Sequence, residues 1–464
     1  MRFFLFSITT KLILFALSVG IGIGGYVAVQ LWTTHHQFVE PQAINPAALA
    51  AHREMAFDAE PSLMARAESP TDLGGDALGV SYVLERGGDV LRISPSLSGA
   101  ASVTPYCSLA DSLTETSLGF SGIAFHPHFL AEGMPGFGKF YVVAAEKPGS
   151  GSPDFQPEFG TGAEHHQDVV YEYSTRHPLA PTFEGGKREV LRFSQPGPEN
   201  NLRSLVFDFQ GGLYLGVGDG AVGKISRKSA SRNASSLASA YGKVLRIDPT
   251  GRDGRNGRYG IPETNPFKLV TEALPELWAF GLRAPHSLSF DPFQGSLCIG
   301  EAGRDGVDEV NLSAMGGEHF GWDLTESSTI FSMSMNAQLA EIVTSPIAAF
   351  DRRAGMAGRT IGNVVYRGEN FPSLAGRVIV ASHDGRLIAV DQGENSGNTL
   401  SLLEVGGLTG KKFTALRTGP SGELVVLCED GSVYEMRKSR KVGGDQPGKK
   451  SLFCGSAAAA PTKG

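Results

Sequence analysis

The chain has 464 residues, enough to bury a large core, with 19% charged residues and a formal net charge of −7. That balance favours solubility and gives no reason to expect a nucleic-acid partner. The 60 glycines, about 13% against a usual ~7%, fall in turn contexts such as GGD, GGL and DG and follow no collagen-like period. They require many tight turns, and hence many short strands.

From Leu12 to Trp32 the chain reads LILFALSVGIGIGGYVAVQLW, about 21 residues without a charge, enough to cross ~30 Å of hydrocarbon. Arg2 and Lys11 precede it and no Lys or Arg follows until Arg53. The positive-inside bias therefore leaves residues 1–11 in the cytoplasm and exports the remainder to the periplasm or exterior. The nearest small-residue cleavage pattern, Ala48-Leu49-Ala50, lies far behind the apolar stretch, which favours an uncleaved single-pass transmembrane anchor at 12–32. Residues 33–75 are Ala-, Pro- and Glu-rich without periodicity and read as a linker.

A repeated unit follows. A nearly continuous apolar strand, a polar or glycine break and a second, alternating strand recur six times: GVSYVLERGGDVLRISPS from Gly79; GKFYVVAAE from Gly138 with DVVYEYST from Asp168; GGLYLGVGDG from Gly211 with GKVLRIDPT from Gly242; GSLCIGEAGRDGVDEVNLSA from Gly295; GRVIVASHDGRLIAVDQG from Gly376; and GELVVLCEDGSVYEMRK from Gly422. Continuous apolar runs suit strands covered on both faces, and alternating ones suit half-exposed strands. Runs such as SGIAFHPHF, RSLVFDFQGG, HSLSFDPFQG and TALRTGPSG precede several copies and add a further strand to each. The expected fold is all-β, a six-bladed β-propeller over residues 76–437 behind one N-terminal transmembrane helix, with 438–464 a disordered basic tail. The alternative of a β-sandwich predicts evenly spaced strands without this unit. Two long insertions, 148–167 and 220–241, are expected over one mouth of the channel.

Several residue groups are candidates for chemistry. His165 and His166, beside Gln167 and Asp168, form the densest polar cluster, suited to proton transfer or a metal, although a loop His pair is more often solvated. Arg283, in the run Gly281 to His286, places a guanidinium where a strand begins, facing an anion or polarised carbonyl, or else paired with a carboxylate such as Asp219 or Glu301. Glu301, Asp305, Asp308, Glu309 and Asp219 offer oxygens of the kind Ca²⁺ prefers, without EF-hand spacing. Asn233-Ala234-Ser235 and Asn311-Leu312-Ser313 match the glycosylation pattern. Cys298 and Cys428 lie in apolar strands and read as buried thiols, while Cys107 and Cys454 are a pair that an oxidising compartment allows.

Nine segments then occur in order: GFSGIAFHPHF, GGLYLGVGDG, YGKVLRIDP, YGIPETNPF, PELWAFGLRAP, SFDP, EAGRDGVDEVNL, GGEHFGW and VVYRGENFPSLAGRVIVAS. Together they resemble the glucose/sorbosone dehydrogenase family over about residues 76–437, most specifically from Pro275 to Trp322. The resemblance implies a soluble-type propeller using pyrroloquinoline quinone (PQQ) and Ca²⁺, in which a histidine takes the proton of a sugar C1 hydroxyl, hydride passes to the quinone, and an electron acceptor follows. Arg283 matches the family's catalytic arginine and Arg367 a basic position near the quinone carboxylates. Gly303 and Arg304 match positions whose backbone carbonyls hold the Ca²⁺.

Three positions depart from the pattern. Asn200 stands at the family's histidine, and an amide cannot accept the proton; Ala284 replaces an asparagine and Ser117 a quinone-contacting glutamine. Glu199, His286 or His166 are the substitutes within reach of the sequence. Three readings follow: a PQQ-dependent sugar or alcohol dehydrogenase held at the membrane; a non-catalytic binding propeller of the hedgehog-interacting type that has lost its base; and a Ca²⁺-dependent lactonase or esterase, which requires Asp, Asn and Glu ligands converging on the axis.

Overall fold

A computed structural model describes residues 53–439 apart from 56, 96–100, 111–116, 160–162, 200, 222–226, 304–305, 323–342, 356 and 392–397. The apolar stretch 12–32 expected to act as an anchor, Asn200, Arg304, Asp305, Cys454 and the segment from 440 expected to be a tail lie outside these residues. Among the described residues no helix is long and apolar enough to cross a membrane.

The strands gather into six sheets of four or five strands. In chain order the first is β3 (Pro70–Gly75), β4 (Ser81–Glu85), β5 (Asp89–Ser94) and β6 (Ser102–Ser108). The second is β7 (Ser117–Phe125), β8 (Lys139–Glu146), β9 (His166–Thr175) and β10 (Gly185–Gln195). The third is β11 (Ser204–Phe207), β12 (Leu213–Val217), β13 (Lys243–Ile247) and β14 (Leu277–Phe280), and the fourth β15 (Pro285–Asp291), β16 (Ser296–Glu301), β17 (Val307–Ser313) and β18 (Ala348–Asp351). The fifth has β19 (Thr360–Val365), β20 (Val378–Ser382), β21 (Leu387–Asp391), β22 (Thr399–Leu403) and β1 (Arg53–Met55), and the sixth β23 (Phe413–Thr418), β24 (Leu424–Cys428), β25 (Ser432–Lys438) and β2 (Ala59–Arg66). The repeated pair read in the sequence is the second and third strand of each sheet.

The first strands touch one another in cyclic order, β3 to β7, β11, β15, β19, β23 and back to β3. Six sheets closed in a ring make a six-bladed propeller, as expected, and exclude two stacked sheets. Side chains lock adjacent inner strands together. Asp72 accepts from Ile123 N at 3.0 Å and from Arg417 Nε at 2.6 Å, Ser204 Oγ accepts from Leu288 N at 2.9 Å, and Ser287 Oγ from Asn363 N at 3.1 Å. At Gly362 the packing is so close that a Cβ would lie 2.7 Å from Leu416 N, so only glycine fits.

One sequence expectation is corrected. The stretch 33–75 is not all linker, because β1, β2 and β3 lie within it. β2 pairs antiparallel with β25, from Ala59 opposite Lys438 to Arg66 opposite Ser432, so a strand near the start of the propeller completes its last blade. A buried cluster of Ala65, Leu73, Val83, Ala415, Val425 and Val433 then seals the sixth blade to the first. Lys438 belongs to β25, so the ordered fold runs one residue into the segment read as tail.

The second strands β4, β12, β16, β20 and β24 are buried at every residue, as their apolar runs require. The alternating third strands split. β25 is exposed at its end, but β13 (KVLRI) is buried throughout because the segment 248–276 covers it. Its Arg246 is consequently held by Asp208 at 2.6 Å and lies over the Tyr214 and Trp278 rings. Cys298 and Cys428 are buried free thiols as expected, and Cys107 is half-buried and free. Asn233 and Asn311 are both buried, so neither glycosylation pattern is presented to a modifying enzyme.

Candidate active site

Each inner strand has one end at each mouth of the axial channel. At the mouth reached by their N-terminal ends two neighbouring cavities open, of about 120 Å³ and about 310 Å³, sharing Arg203, His286 and Arg359 in their walls. The smaller is also lined by Thr71, Arg86, Ser121 and Arg417. The larger adds Glu199, Asn201, Arg283, Ala284, Gly303 and Arg352. The opposite mouth, about 340 Å³, is walled instead by Leu73, Phe125, Phe207, Leu288 and Phe290, among others. The first mouth is thus the basic one, while the second is lined mostly by apolar residues with Asp208 and Arg417 among them.

The basic character has a simple origin. Arg203 and Arg359 each stand one residue before an inner strand, and Arg283 two residues before another, so the strand ends themselves deliver guanidiniums to the rim. Arg203 and Arg359 make no ion pair among the described residues, and both are exposed to the channel solvent. Desolvation at the wall, with Arg359 and Arg86 adding like charge, holds Arg203 below its ordinary value. Guanidiniums crowded in this way are stable beside an anion or when well hydrated.

Arg283 is the most constrained of the group. Its backbone N–H donates to Glu301 Oε2 at 2.5 Å and its Nη1 to the Ala302 carbonyl at 2.6 Å. Its guanidinium lies 5.7 Å over the Trp322 ring, and Trp322 Nε1 in turn donates to buried Asp219 at 2.9 Å. Neither carboxylate named in the sequence therefore takes the guanidinium directly: Glu301 holds the backbone and Asp219 the indole beneath. Burial pushes Glu301 up to about 7, against the opposing pull of the Arg283 and Ala284 N–H groups and the Arg283 charge.

His286 has both ring nitrogens against backbone carbonyls. Its Nδ1 lies 2.8 Å from the Gly300 carbonyl and its Nε2 2.7 Å from that of Thr360, so neither nitrogen is free for a substrate. Burial, then Arg359, Arg203 and Arg417, push it down to about 3, so the neutral ring donates to one of these carbonyls and only abuts the other. His166 is buried on β9, its Nδ1 3.0 Å from His165 Nδ1 and its Nε2 3.3 Å from Asp168, and it lines neither cavity. Glu199 does line the larger cavity and is the one carboxylate in that wall among the described residues.

The structure brings Arg283, Ala284 and Gly303 together, and Asn200 falls between cavity residues Glu199 and Asn201 but outside the described residues. Two further expectations part company with it. Arg367 lies two residues beyond the C-terminal end of β19, on the apolar side of the ring, where it forks onto Asp291 at 2.5 and 3.0 Å and covers Phe293. Ser117 sits at the start of β7 with its Oγ accepting from Gly119 N at 3.3 Å, and lines neither cavity. Arg203, Arg352 and Arg359 are site residues absent from the sequence-based candidates. An arginine directly preceding an inner strand, as in LRSLVF and GRTIGNVV, is the signal that finds two of them.

The two insertions pack on each other beside this mouth. α1 (Arg227–Ser235) lies in the second, and its Asn233 side chain bonds both the N–H and the carbonyl of Phe159 in the first, each at 2.9 Å. Buried Lys243 donates to the carbonyls of Asn233, Ala234 and Tyr241 at 2.6–2.8 Å, capping the helix C-terminus with a cation. The Ala234 carbonyl also accepts from Gly281 N at 2.9 Å, tying the helix to the turn that carries Arg283.

The chain is thus a closed six-bladed propeller with a guanidinium-lined axial mouth. The sequence matches the Glucose / Sorbosone dehydrogenase family over residues 78–435, and the chain belongs to that family. Among curated proteins it is similar to HIPL2 protein of Arabidopsis thaliana, 30% identical over 64% of this chain and 47% of that one. It is also similar to aldose sugar dehydrogenase YliI of Escherichia coli (26%; 49% and 57%) and to human hedgehog-interacting protein (23%; 68% and 41%). The chain spans about half the length of the curated relatives it matches. In fold it is similar to the apo-form of soluble aldose sugar dehydrogenase from E. coli, with a TM-score of 0.56 at 19% identity over 82% of this chain and 98% of that one. The PQQ-bound aldose sugar dehydrogenase of Streptomyces coelicolor gives 0.54 at 17% over 83% and 99%.

Proposed function

We propose that the chain is a membrane-anchored, extracytoplasmic oxidoreductase of the PQQ-dependent sugar dehydrogenase type, oxidising the C1 hydroxyl of an aldose or a related alcohol. The observation that carries this reading is the convergence of Arg203, Arg283, Arg352 and Arg359 on one cavity of about 310 Å³ that also holds Glu199. The donor set fits a planar quinone bearing carboxylates, since guanidiniums are the side chains best matched to carboxylate oxygens. When bound, the quinone supplies the hydride acceptor.

The chain's own residues bind, orient and move the proton. Arg203 and Arg359, without ion-pair partners among the described residues, hold ligand carboxylates. Arg283 is fixed by Ala302 and Trp322 and keeps its remaining donors for charge that develops on the ligand, where preorganised donors act most strongly. Glu199 accepts the hydroxyl proton in place of the family's histidine, while the C1 hydrogen leaves with its electron pair. Titrating PQQ into the purified protein, with dye reduction measured across aldoses, tests the proposal. Quinone binding and turnover are expected, and the absence of quinone binding removes it.

A second reading has its own observations. Asn200 stands at the family's base position, both nitrogens of His286 face backbone carbonyls, and the chain is similar to hedgehog-interacting protein. A propeller that binds an anionic partner without chemistry accounts for these. Turnover with the quinone bound separates the two readings.

A further inference from the structure

The family resemblance implies a Ca²⁺ held by the backbone carbonyls of Gly303 and Arg304, and the described residues do not fit one. The Gly303 carbonyl lies 3.4 Å from Arg352 Nη2. Arg352 is supported from behind by buried Asp308, whose Oδ1 is 3.7 Å from its Nε. Asp308 is already engaged: Oδ1 accepts from Gly303 N at 3.3 Å, and Oδ2 from Thr360 N at 2.8 Å and Thr360 Oγ1 at 3.2 Å. The same cavity wall carries Arg203, Arg283 and Arg359 against one carboxylate, Glu199. No group of three or more His, Cys, Asp or Glu able to hold a metal ion is present among the described residues. Ca²⁺ takes six to eight oxygens at about 2.3–2.6 Å, with carboxylates supplying most of the charge. Four guanidiniums provide no such oxygens and repel the ion.

We infer that Arg352 takes the place of the divalent cation, so that this mouth binds its polyanionic ligand through guanidiniums and independently of Ca²⁺. The geometry is consistent in detail. The guanidinium meets the Gly303 carbonyl as a donor, and its positive charge rests on a buried carboxylate while its other face borders the cavity. The inference rests on the proposed function only for the identity of the ligand.

Calorimetric titration of the full chain in detergent tests it, using PQQ and, independently, citrate as a plain tricarboxylate. Each is titrated in EGTA and in about 5 mM Ca²⁺, above the millimolar dissociation constants of weak extracellular sites; equilibrium dialysis follows Ca²⁺ alone. Affinities for both anions, expressed on the concentration of anion not complexed by Ca²⁺, should agree within about twofold with and without Ca²⁺. Arg352→Ala should weaken both about tenfold or more, and Arg352→Lys should recover part of the loss, with unfolding midpoints showing that each variant is folded. A drop of about tenfold in EGTA overturns the inference, as does stoichiometric Ca²⁺ uptake by the wild type or an Arg352→Ala protein that binds both anions unchanged. If PQQ binds in neither condition, the proposed function falls, and the other probes still decide this point. Ca²⁺-free citrate binding lost on Arg352→Ala supports the inference, and failure to bind citrate as well overturns it.

Discussion

Glu301→Gln isolates the cost of burying a carboxyl beneath Arg283. Burial raises the group from an ordinary 4.5 to about 7 in the folded protein. Between those values the folded chain binds more protons than the unfolded one. Stability is therefore fully present below about pH 4.5, declines as pH rises, and has been lost above about pH 7. A tenfold change in proton affinity is worth 1.36 kcal/mol, so the interval from 4.5 to about 7 bounds the loss at about 3 kcal/mol. Glutamine keeps an oxygen for the Arg283 N–H and removes the titration. Urea unfolding followed by tryptophan fluorescence at a series of pH values, wild type against variant, measures the effect as a difference and cancels every other titrating group. The two proteins should be equally stable near pH 4, and the variant should gain up to about 3 kcal/mol by pH 8. A flat difference, or a variant that loses stability as pH rises, refutes the reasoning.

Asp72→Ala removes the carboxylate that joins blades six, one and two, leaving Arg417 and the Ile123 and Leu73 N–H groups unpaired; a loss of about 3–5 kcal/mol in denaturant unfolding is expected. A double-mutant cycle with Arg417→Ala should return a coupling of at least about 1 kcal/mol. Deleting residues 1–66 strips β2 from β25 and bares a sheet edge, so the truncated chain should aggregate on size-exclusion chromatography where the full chain in detergent does not. In an active enzyme, Glu199→Gln should lower kcat by about 10²–10⁴-fold with the quinone affinity little changed, measured by steady-state dye reduction and direct binding.

The parts of the fold visible in the sequence are those whose surroundings force one composition. A second strand such as VIVAS or LVVLC lies between neighbours on both faces and admits only apolar residues, so six such runs count six blades. The first and last strands obey other demands. β2, AEPSLMAR, is an outer strand with Glu60 and Arg66 exposed, and nothing in its environment imposes a period. β3, PTDLGG, reads as a turn because the axis requires small residues and a buried carboxylate: a Cβ at Gly74 would lie 2.9 Å from the Phe125 ring. Both strands consequently read as linker. The arginines show the same limit at the site. Arg359 and Arg367 flank one strand, β19, and only its direction across the ring assigns the first to the basic mouth and the second to Asp291 at the other. Resemblance by motif points to Arg367, while position relative to the strand selects Arg359.

The charge at this mouth runs against the charge of the molecule. The chain carries a net charge of −7, yet six arginines from five blades, Arg86, Arg203, Arg283, Arg352, Arg359 and Arg417, line two adjoining cavities. At physiological ionic strength screening acts over about 8 Å, so acidic groups scattered over the outer surface do not cancel a cluster gathered within the channel rim. Ring closure creates that cluster. Strands far apart in sequence end at one opening, and a single arginine at the start of several of them suffices to build a field no local motif displays. Arg283 alone resembles a family residue. Together with Arg203, Arg352 and Arg359 it brings four guanidiniums to one cavity, and the polyanion binding proposed above rests on that convergence.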